Sequence, residues 1–135
     1  KMVGAPWIDA ERFSDFLNRK KLPGVWFQPV SYTPYYGSMK DRVCHGCRIV
    51  ITDYATFKPA TTGLHIIAAL RTLYPDQFRC SAVQTSRMEM FIKVAGGVRV
   101  KTMIEQGGDP EALLSAQKPA FDEFLQKRES CLLYR

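Results

Sequence analysis

The sequence predicts an α+β domain, in which a small sheet of short strands packs against helices. Two patterns are interspersed along the chain: short stretches with apolar residues at every second position, and longer stretches with apolar residues three and four positions apart. The connections are short, and the strands are too few for a doubly wound fold. A length of 135 residues, 46% of them hydrophobic and 24% charged, fits one globular domain with a core.

The first part of the chain predicts a strand end, a helix and an edge strand. Residues 3–7 are typical of a strand that ends in a turn, and Asp9 is a favourable N-cap for an amphipathic helix over roughly residues 9–20. Residues 25–32 are rich in β-branched and aromatic side chains, but Pro29 lacks the amide hydrogen that a central strand needs. We therefore expect an edge or bulged strand there.

An exposed aromatic loop and a second strand are expected next. Residues 33–38 combine proline, glycine and serine with two tyrosines, which is the chemistry of a turn. Cys47, Ile49 and Ile51 then fall on alternate positions, the period of a strand with one buried face, and this strand should end at Asp53.

The second half of the chain predicts mainly helices. Thr61 or Thr62 can cap a helix that ends before Pro75; it is apolar on nearly every side, so it should be the central helix of the core. We expect one more short strand around residues 80–84, and a short helix over residues 98–106 that a Gly-Gly pair ends.

A last helix is predicted to begin at Asp109 and Pro110, which suit the N-cap and first helical positions. Pro119 should kink this helix or split it in two, because proline cannot donate the helical hydrogen bond. The helix carries an apolar face formed by Leu113, Leu114, Phe121, Phe124 and Leu125.

Composition narrows the classes of protein and partner. No apolar run approaches the roughly 18 residues that cross a bilayer, and the first residues lack the zones of a signal peptide. Lys and Arg outnumber Asp and Glu by 19 to 13, and the net charge of +6 favours anionic partners. Most of the basic residues are scattered rather than clustered with aromatics, so nucleic acid is not the expected partner.

Four cysteines leave redox and structural roles open. Cys44 and Cys47 form a C-x-x-C pair, which in some proteins binds zinc or cycles between thiol and disulfide. Zinc usually needs four ligands, and no second close pair follows. We interpret Cys47 as an inward-facing strand residue and expect neither a metal nor a cofactor. Disulfides among Cys44, Cys47, Cys80 and Cys131 stay open.

A series of short segments supports a family resemblance. In order, they are residues 3–9 (VGAPWID), 22–29 (LPGVWFQP), 32–34 (YTP), 51–53 (ITD), 57–59 (FKP), 62–64 (TGL), 68–75 (AALRTLYP), 109–111 (DPE) and 132–134 (LLY). At this spacing they resemble the carboxy-terminal part of the NamZ (YbbC-like) family of bacterial exo-β-N-acetylmuramidases. The resemblance spans almost the whole chain. Cys47 stands where that family usually has an aliphatic strand residue.

The resemblance implies a glycoside hydrolase that removes terminal N-acetylmuramic acid (MurNAc) from peptidoglycan fragments, in cell-wall turnover and recycling. In that family a larger amino-terminal Rossmann-like domain is thought to carry the catalytic acids and to face the smaller carboxy-terminal domain across the substrate cleft. Residues 1–135 correspond to the smaller domain, so we expect a piece of a longer enzyme, inactive alone. Family context favours a periplasmic or secreted protein.

The residues themselves offer no convincing catalytic group. Glycoside hydrolysis ordinarily uses two carboxyl groups that face each other across the scissile bond, and most acids here suit helix caps or polar helix faces. Asp53, at a strand end, is the acid of most interest, although a turn cap explains it as well. His45 and His65 lack a serine or cysteine partner in a recognisable nucleophile motif. His65 falls in the predicted buried helix, so we expect it to be a packed or surface residue rather than a general base.

The hypothesis for the site is a sugar-binding wall, formed by aromatic rings that suit sugar faces and by lysines that can meet the lactyl carboxylate of MurNAc. The predicted substrate-binding residues are Trp7, Tyr32, Tyr35, Lys40, Asp53 and Lys58. Packing within the domain, or against the amino-terminal domain, is the alternative for the aromatic residues. A non-catalytic module that binds wall polymer by charge is the alternative function.

Overall fold

The computed structural model describes residues 1–79 and 85–133. Three strands form one antiparallel sheet in the order β1-β3-β2. The elements along the chain are β1 (Met2–Ala5), α1 (Ala10–Asn18), β2 (Val25–Tyr32), β3 (Cys44–Ile51), α2 (Pro59–Leu73), α3 (Thr85–Val94), α4 (Val98–Gln106) and α5 (Pro110–Glu129). A small sheet of short strands with helices packed against it confirms the α+β prediction.

The position of β2 confirms the prediction drawn from Pro29. β3 is the central strand, and β2 lies at an edge, where a proline costs the sheet no ladder bond. The outward-facing backbone of this edge is bonded by a side chain of α1: the amide group of Asn18 donates to the Phe27 carbonyl (2.8 Å) and accepts from the Phe27 amide (2.9 Å). Asn18 thereby ties the end of α1 to the sheet.

The main core lies between one face of the sheet and helices α1 and α2. Phe27 and Cys47 project from the sheet, and Phe13 and Leu17 project from α1; each is almost completely buried. The N-cap prediction for α1 is confirmed, because the Asp9 side chain accepts from the amide of Arg12 at 2.9 Å. The helix ends at Asn18, slightly earlier than expected.

The central helix is confirmed, but its predicted start is wrong. α2 begins at Pro59 with Lys58 as N-cap, and Thr62 lies buried inside the first turn, where its hydroxyl donates to the Lys58 carbonyl at 2.8 Å. Proline explains the earlier start, because its fixed φ suits a helix and it has no amide hydrogen that needs a cap. The helix then buries His65, Ile66, Ala69 and Leu70.

The later helices extend the core at one side. α4 has its predicted bounds and ends at Gly107, whose φ of 67° is the left-handed conformation of a helix stop. Asp109 caps α5 as expected. Pro119 was expected to kink α5 or to split it, and the split does not occur, because α5 continues through Pro119. The exposed residue Ser115, whose carbonyl loses its helical partner, can bond to water instead. The strand expected at residues 80–84 lies outside the described residues.

Within residues 1–79 and 85–133, every helix is too short or too polar to cross a membrane.

Candidate functional site

The predicted site residues divide between the two ends of the sheet. β1 and β2 both run antiparallel to β3, so the residues that follow them lie at the start of β3. Residues after β3 lie at the opposite end. Because β3 has eight residues, the two ends are separated by about 23 Å at a rise of roughly 3.3 Å per residue. A single sugar ring cannot contact both groups.

We call the group at the start of β3 the aromatic end. It comprises Trp7, Tyr32, Tyr35, Tyr36 and Lys40. Sequence reasoning placed Tyr36 in the loop but did not select it for the site. Asp53 and Lys58 lie at the opposite end.

Trp7 lies in the turn after β1 and is explained by packing. Its ring is tilted 59° against that of Tyr74, with 5.3 Å between the ring centroids. The Tyr74 hydroxyl accepts from the Asp9 amide at 3.0 Å, so the pair joins the end of α2 to the start of α1. Trp7 is also partly buried against the core, which favours the packing interpretation over a sugar contact.

Tyr32 is the last residue of β2, and its ring lies across the sheet. A Cβ atom added at Gly4 would be 3.0 Å from Cε1 of Tyr32 and 3.1 Å from its hydroxyl. Gly4 belongs to β1, and β3 lies between β1 and β2. The ring must therefore extend over β3, where Gly46, the partner of Gly4, has no side chain to obstruct it. Partial burial raises the pKa of the Tyr32 hydroxyl, with smaller contributions from Cys44 and Cys47, so the hydroxyl stays a neutral hydrogen-bond donor.

The loop between β2 and β3 presents two tyrosines to solvent. Tyr35 is 87% exposed and Tyr36 is 82% exposed. The loop is closed by two backbone bonds, from the Lys40 amide to the Gly37 carbonyl and from the Asp41 amide to the Pro34 carbonyl, both 3.1 Å. The expected exposed aromatic loop is confirmed, and the side chain of Lys40 is exposed on the same loop.

His45 has a partner that sequence reasoning missed. Its Nδ1 lies 2.8 Å from the hydroxyl oxygen of Ser31. The two residues are direct register partners on β3 and β2, so cross-strand pairing explains the bond. The register of β2 against β3, which makes Ser31 and His45 neighbours, cannot be inferred from these two residues alone.

Asp53 caps a turn after β3. Its carboxylate accepts from the hydroxyl of Thr56 at 2.7 Å and from the amide of Ala55 at 2.9 Å. The hydrogen bond from Thr56 is the main reason that the pKa of Asp53 is lowered, and the bond from the Ala55 amide adds to it. A carboxyl group with a lowered pKa stays ionised, which does not suit a general acid.

A substitution tests this origin of the Asp53 pKa. Thr56→Val keeps the shape of the side chain but removes the donor, so we expect the pKa of Asp53 to rise toward 3.8, its ordinary value. Because the folded-state pKa is the lower one, the stability from Asp53 is present above pH 3.8 and is lost as the pH falls through the folded pKa. Carboxyl NMR titration measures the shift; Thr52→Val, at an exposed neighbour, should leave it unchanged. An unaltered pKa in the Thr56 variant would contradict the assignment.

Lys58 lies in a groove of about 770 Å³ between the start of α2 and α5. The groove is also lined by Leu22, Pro23, Phe57, Leu114 and Phe121. Glu111, which also lines the groove, has a carboxylate oxygen 2.9 Å from Nε2 of the buried His65, and this contact joins α2 to α5. This contact gives His65 the packing role that was expected.

The cysteines give no sign of a redox or metal centre in the described part of the chain. Cys44 and Cys47 are buried free thiols, and Cys131 is an exposed free thiol. Burial raises the pKa of Cys47 to about 12, so this thiol is not activated. Within residues 1–79 and 85–133, no three His, Cys, Asp or Glu side chains cluster as metal ligands would. The interpretation of Cys47 as an inward-facing strand residue is confirmed; Cys80 lies outside these residues.

Comparison with known proteins gives a consistent result. Residues 1–134 match the protein-family model described as exo-β-N-acetylmuramidase NamZ, C-terminal. The chain is 31% identical over 134 residues to the peptidoglycan β-N-acetylmuramidase NamZ of Bacillus subtilis (strain 168), a match that covers 99% of this chain and 31% of that protein.

A solved structure agrees with the sequence comparison. The fold matches the crystal structure of a DUF1343 family protein from Bacteroides fragilis NCTC 9343 with a TM-score of 0.89 and 27% identity, over 99% of this chain and 35% of that one. The chain thus spans about a third of the length of these relatives. From the family match over nearly its full length, this chain belongs to the family of NamZ carboxy-terminal domains.

Proposed function

We propose that this domain acts in a peptidoglycan exo-β-N-acetylmuramidase, where its aromatic end forms one wall of the substrate cleft. The observation that carries the proposal is the loop that holds Tyr35 and Tyr36 almost fully in solvent and carries the exposed Lys40 as well. Exposed tyrosine rings can stack on the apolar faces of a sugar ring, and an ammonium group can pair with the lactyl carboxylate of MurNAc.

The catalytic carboxylates belong, in this proposal, to an amino-terminal domain of the same polypeptide. The relatives extend over about three times the length of this chain, which leaves room for such a domain. Asp53, the acid of most interest in the sequence, already accepts a hydrogen bond from Thr56 within its own turn, and its pKa is lowered. We also propose a periplasmic or secreted location and a role in wall turnover, because the substrate lies outside the cytoplasmic membrane.

The first experiment compares this chain with the longer polypeptide on a MurNAc-terminated disaccharide, with release of free MurNAc as the readout. Release by the longer polypeptide alone is the expected result. Release by residues 1–135 alone would overturn the proposed division of labour, and Asp53 would be the first residue to replace.

The tyrosine wall is tested in the longer polypeptide. We expect Tyr35→Ala to lower kcat/KM on the disaccharide by roughly two- to twelvefold, mainly through KM, because an aromatic contact contributes about 0.5–1.5 kcal/mol and each 1.4 kcal/mol is a factor of ten. Tyr54→Ala is the matched control, since Tyr54 is 83% exposed but lies after β3, at the opposite end of the sheet. Equal activity of the two variants would refute the wall.

Lys40 is tested with a modified substrate rather than by substitution alone. Amidation of the lactyl carboxylate should weaken binding to the unmodified enzyme. In a Lys40→Met variant, the same amidation should cause little further loss of binding, because the two changes remove the same ion pair. Additive losses would show that Lys40 does not contact this carboxylate.

A charge-based wall-binding module is the second candidate, favoured by the net charge of +6. Binding of this kind would weaken steeply with salt and would ignore the identity of the sugar. A cleft wall should discriminate MurNAc from N-acetylglucosamine at every salt concentration.

A further inference from the structure

Within residues 1–79 and 85–133, the core helices pack on one face of the sheet. We call the opposite face, which presents Trp26, Gln28 and Arg48 to solvent, the open face. The register of β2 and β3 is continuous from Val25↔Ile51 to Tyr32↔Cys44, so residues of the same parity share a face. Phe27 and Cys47 face the core, where α1 packs. The opposite face therefore carries the even-numbered residues: Met2, Gly4, Trp26, Gln28, Val30, Tyr32, Cys44, Gly46, Arg48 and Val50. Trp26, Gln28 and Arg48 are exposed on this face, whereas Cys44 and Gly46, at the end where Tyr32 lies, are buried.

Two aromatic side chains mark the ends of β2 on this open face. Tyr32 extends across β3 against Gly4. Gly4 and its register partner Gly46 have no side chains, so the sheet is flat beneath the tyrosine ring. Trp26 lies six residues away on the same face and is 53% exposed. At a rise of roughly 3.3 Å per residue the two rings are about 20 Å apart, a distance that several linked sugar rings span.

Polar groups lie between the two rings. Gln28 and Arg48 are register partners, and both are exposed. An amide can bond to sugar hydroxyl or acetamido groups, and a guanidinium pairs with carboxylates. Aromatic rings at both ends with an amide and a cation between them match an anionic amino-sugar chain in shape, polarity and charge.

We infer that the open face binds the peptidoglycan glycan strand beyond its terminal sugar, with Tyr32 near the terminal residue and Trp26 as a distal stacking platform. The inference rests on the proposed function, because Tyr32 lies beside the loop of Tyr35 and Tyr36 that would hold the terminal MurNAc. A glycan that extends from this loop along β2 would contact Tyr32 first, then Gln28 and Arg48, and then Trp26.

A glycan is favoured over a protein partner by the chemistry of the face. Protein interfaces bury a continuous apolar centre with charge at the rim. On this face the centre is the exposed pair Gln28 and Arg48, and the aromatic residue Trp26 lies at the end of the strand. Separated rings with polar groups between them suit a chain of sugar rings better than a close-packed protein surface.

The test uses peptide-free glycan strands of one and of three disaccharide units, with the longer polypeptide as the enzyme. We expect kcat/KM to be about tenfold higher for the longer strand. Trp26→Ala should abolish this preference and leave the disaccharide unaffected, and Trp26→Phe should restore part of it. Phe124→Ala is the control, because Phe124 is 57% exposed on α5, away from the sheet, and should keep the full preference.

Each other result decides against the inference. Equal kcat/KM for both strands in the unmodified enzyme, or an undiminished preference in Trp26→Ala, would show that Trp26 does not stack on a distal sugar. An equal loss on both strands, with weaker association of the two domains, would assign the face to the amino-terminal domain instead. The cleft wall is tested separately. Tyr35→Ala is measured by kcat/KM on the disaccharide, whereas Trp26→Ala is measured by the ratio of kcat/KM for the long and the short glycan strand.

Discussion

Replacing Phe27 by alanine is expected to lower the free energy of unfolding by about 3–5 kcal/mol, because the change removes a large side chain from a packed core. Phe27 is 1% exposed and lies between the sheet and α1. Small domains are stable by only about 5–15 kcal/mol, so this loss is a large fraction of the total. Urea denaturation followed by circular dichroism measures the difference.

Phe124→Ala is the matched control for this experiment. Phe124 is 57% exposed on α5, so its loss should change the free energy of unfolding by no more than about 0.5 kcal/mol. The hydrogen bonds between the Asn18 side chain and the backbone of residue 27 remain possible in the alanine variant. The difference between the two variants therefore reports side-chain burial. A loss below about 1 kcal/mol for Phe27→Ala would mean that this core is not the main source of stability.

Local chemistry explains which elements the sequence could predict. Asp9 and Asp109 cap helices through bonds to amides two or three residues away, and Pro29 excludes a central strand by its own covalent structure. Such signals lie within a few residues of the feature that they specify. The start of α2 was misplaced because two local signals compete there, and Pro59 at the first helical position prevailed over a threonine cap.

The candidate site depended on information that local patterns do not hold. The exposure of Tyr35 follows from turn chemistry and was predicted. The separation of Asp53 and Lys58 from the other residues follows from the antiparallel direction of β3, which is set by pairing between strands far apart in the chain. Without the strand order, six residues of suitable chemistry look like one site.

The open face illustrates the same limit. The alternation of Trp26 with Phe27 shows that the two side chains face opposite sides, but not which side the helices cover. That choice is made by α1, whose buried residues Phe13 and Leu17 pack on the side of Phe27. Only then does the exposed Trp26 become a candidate binding residue rather than part of a core.

The close approach of β1 to Gly46 leads to the second large effect. A Cβ atom at Gly46 would lie 2.0 Å from the Val3 carbonyl oxygen and 2.6 Å from the Gly4 Cα. Both are backbone atoms of β1 that cannot turn aside as a flexible side chain can. Gly46→Ala should therefore displace β1 and lower the free energy of unfolding by about 3 kcal/mol, at the upper end of overpacking effects. Urea denaturation measures the loss, and faster hydrogen exchange at the amide of Ile49, which bonds to the Lys1 carbonyl, would place it at β1.

The same substitution at Gly63 should act in the opposite direction. Gly63 lies within α2, and a Cβ atom there would have no neighbour within 4 Å, so alanine should raise the free energy of unfolding by about 0.5–1 kcal/mol through its better helix propensity. The two variants differ only in where one methyl group is added. If Gly46→Ala were tolerated as well as Gly63→Ala, β1 could not approach β3 as closely as described, and Tyr32 would lose the flat surface on which its ring rests.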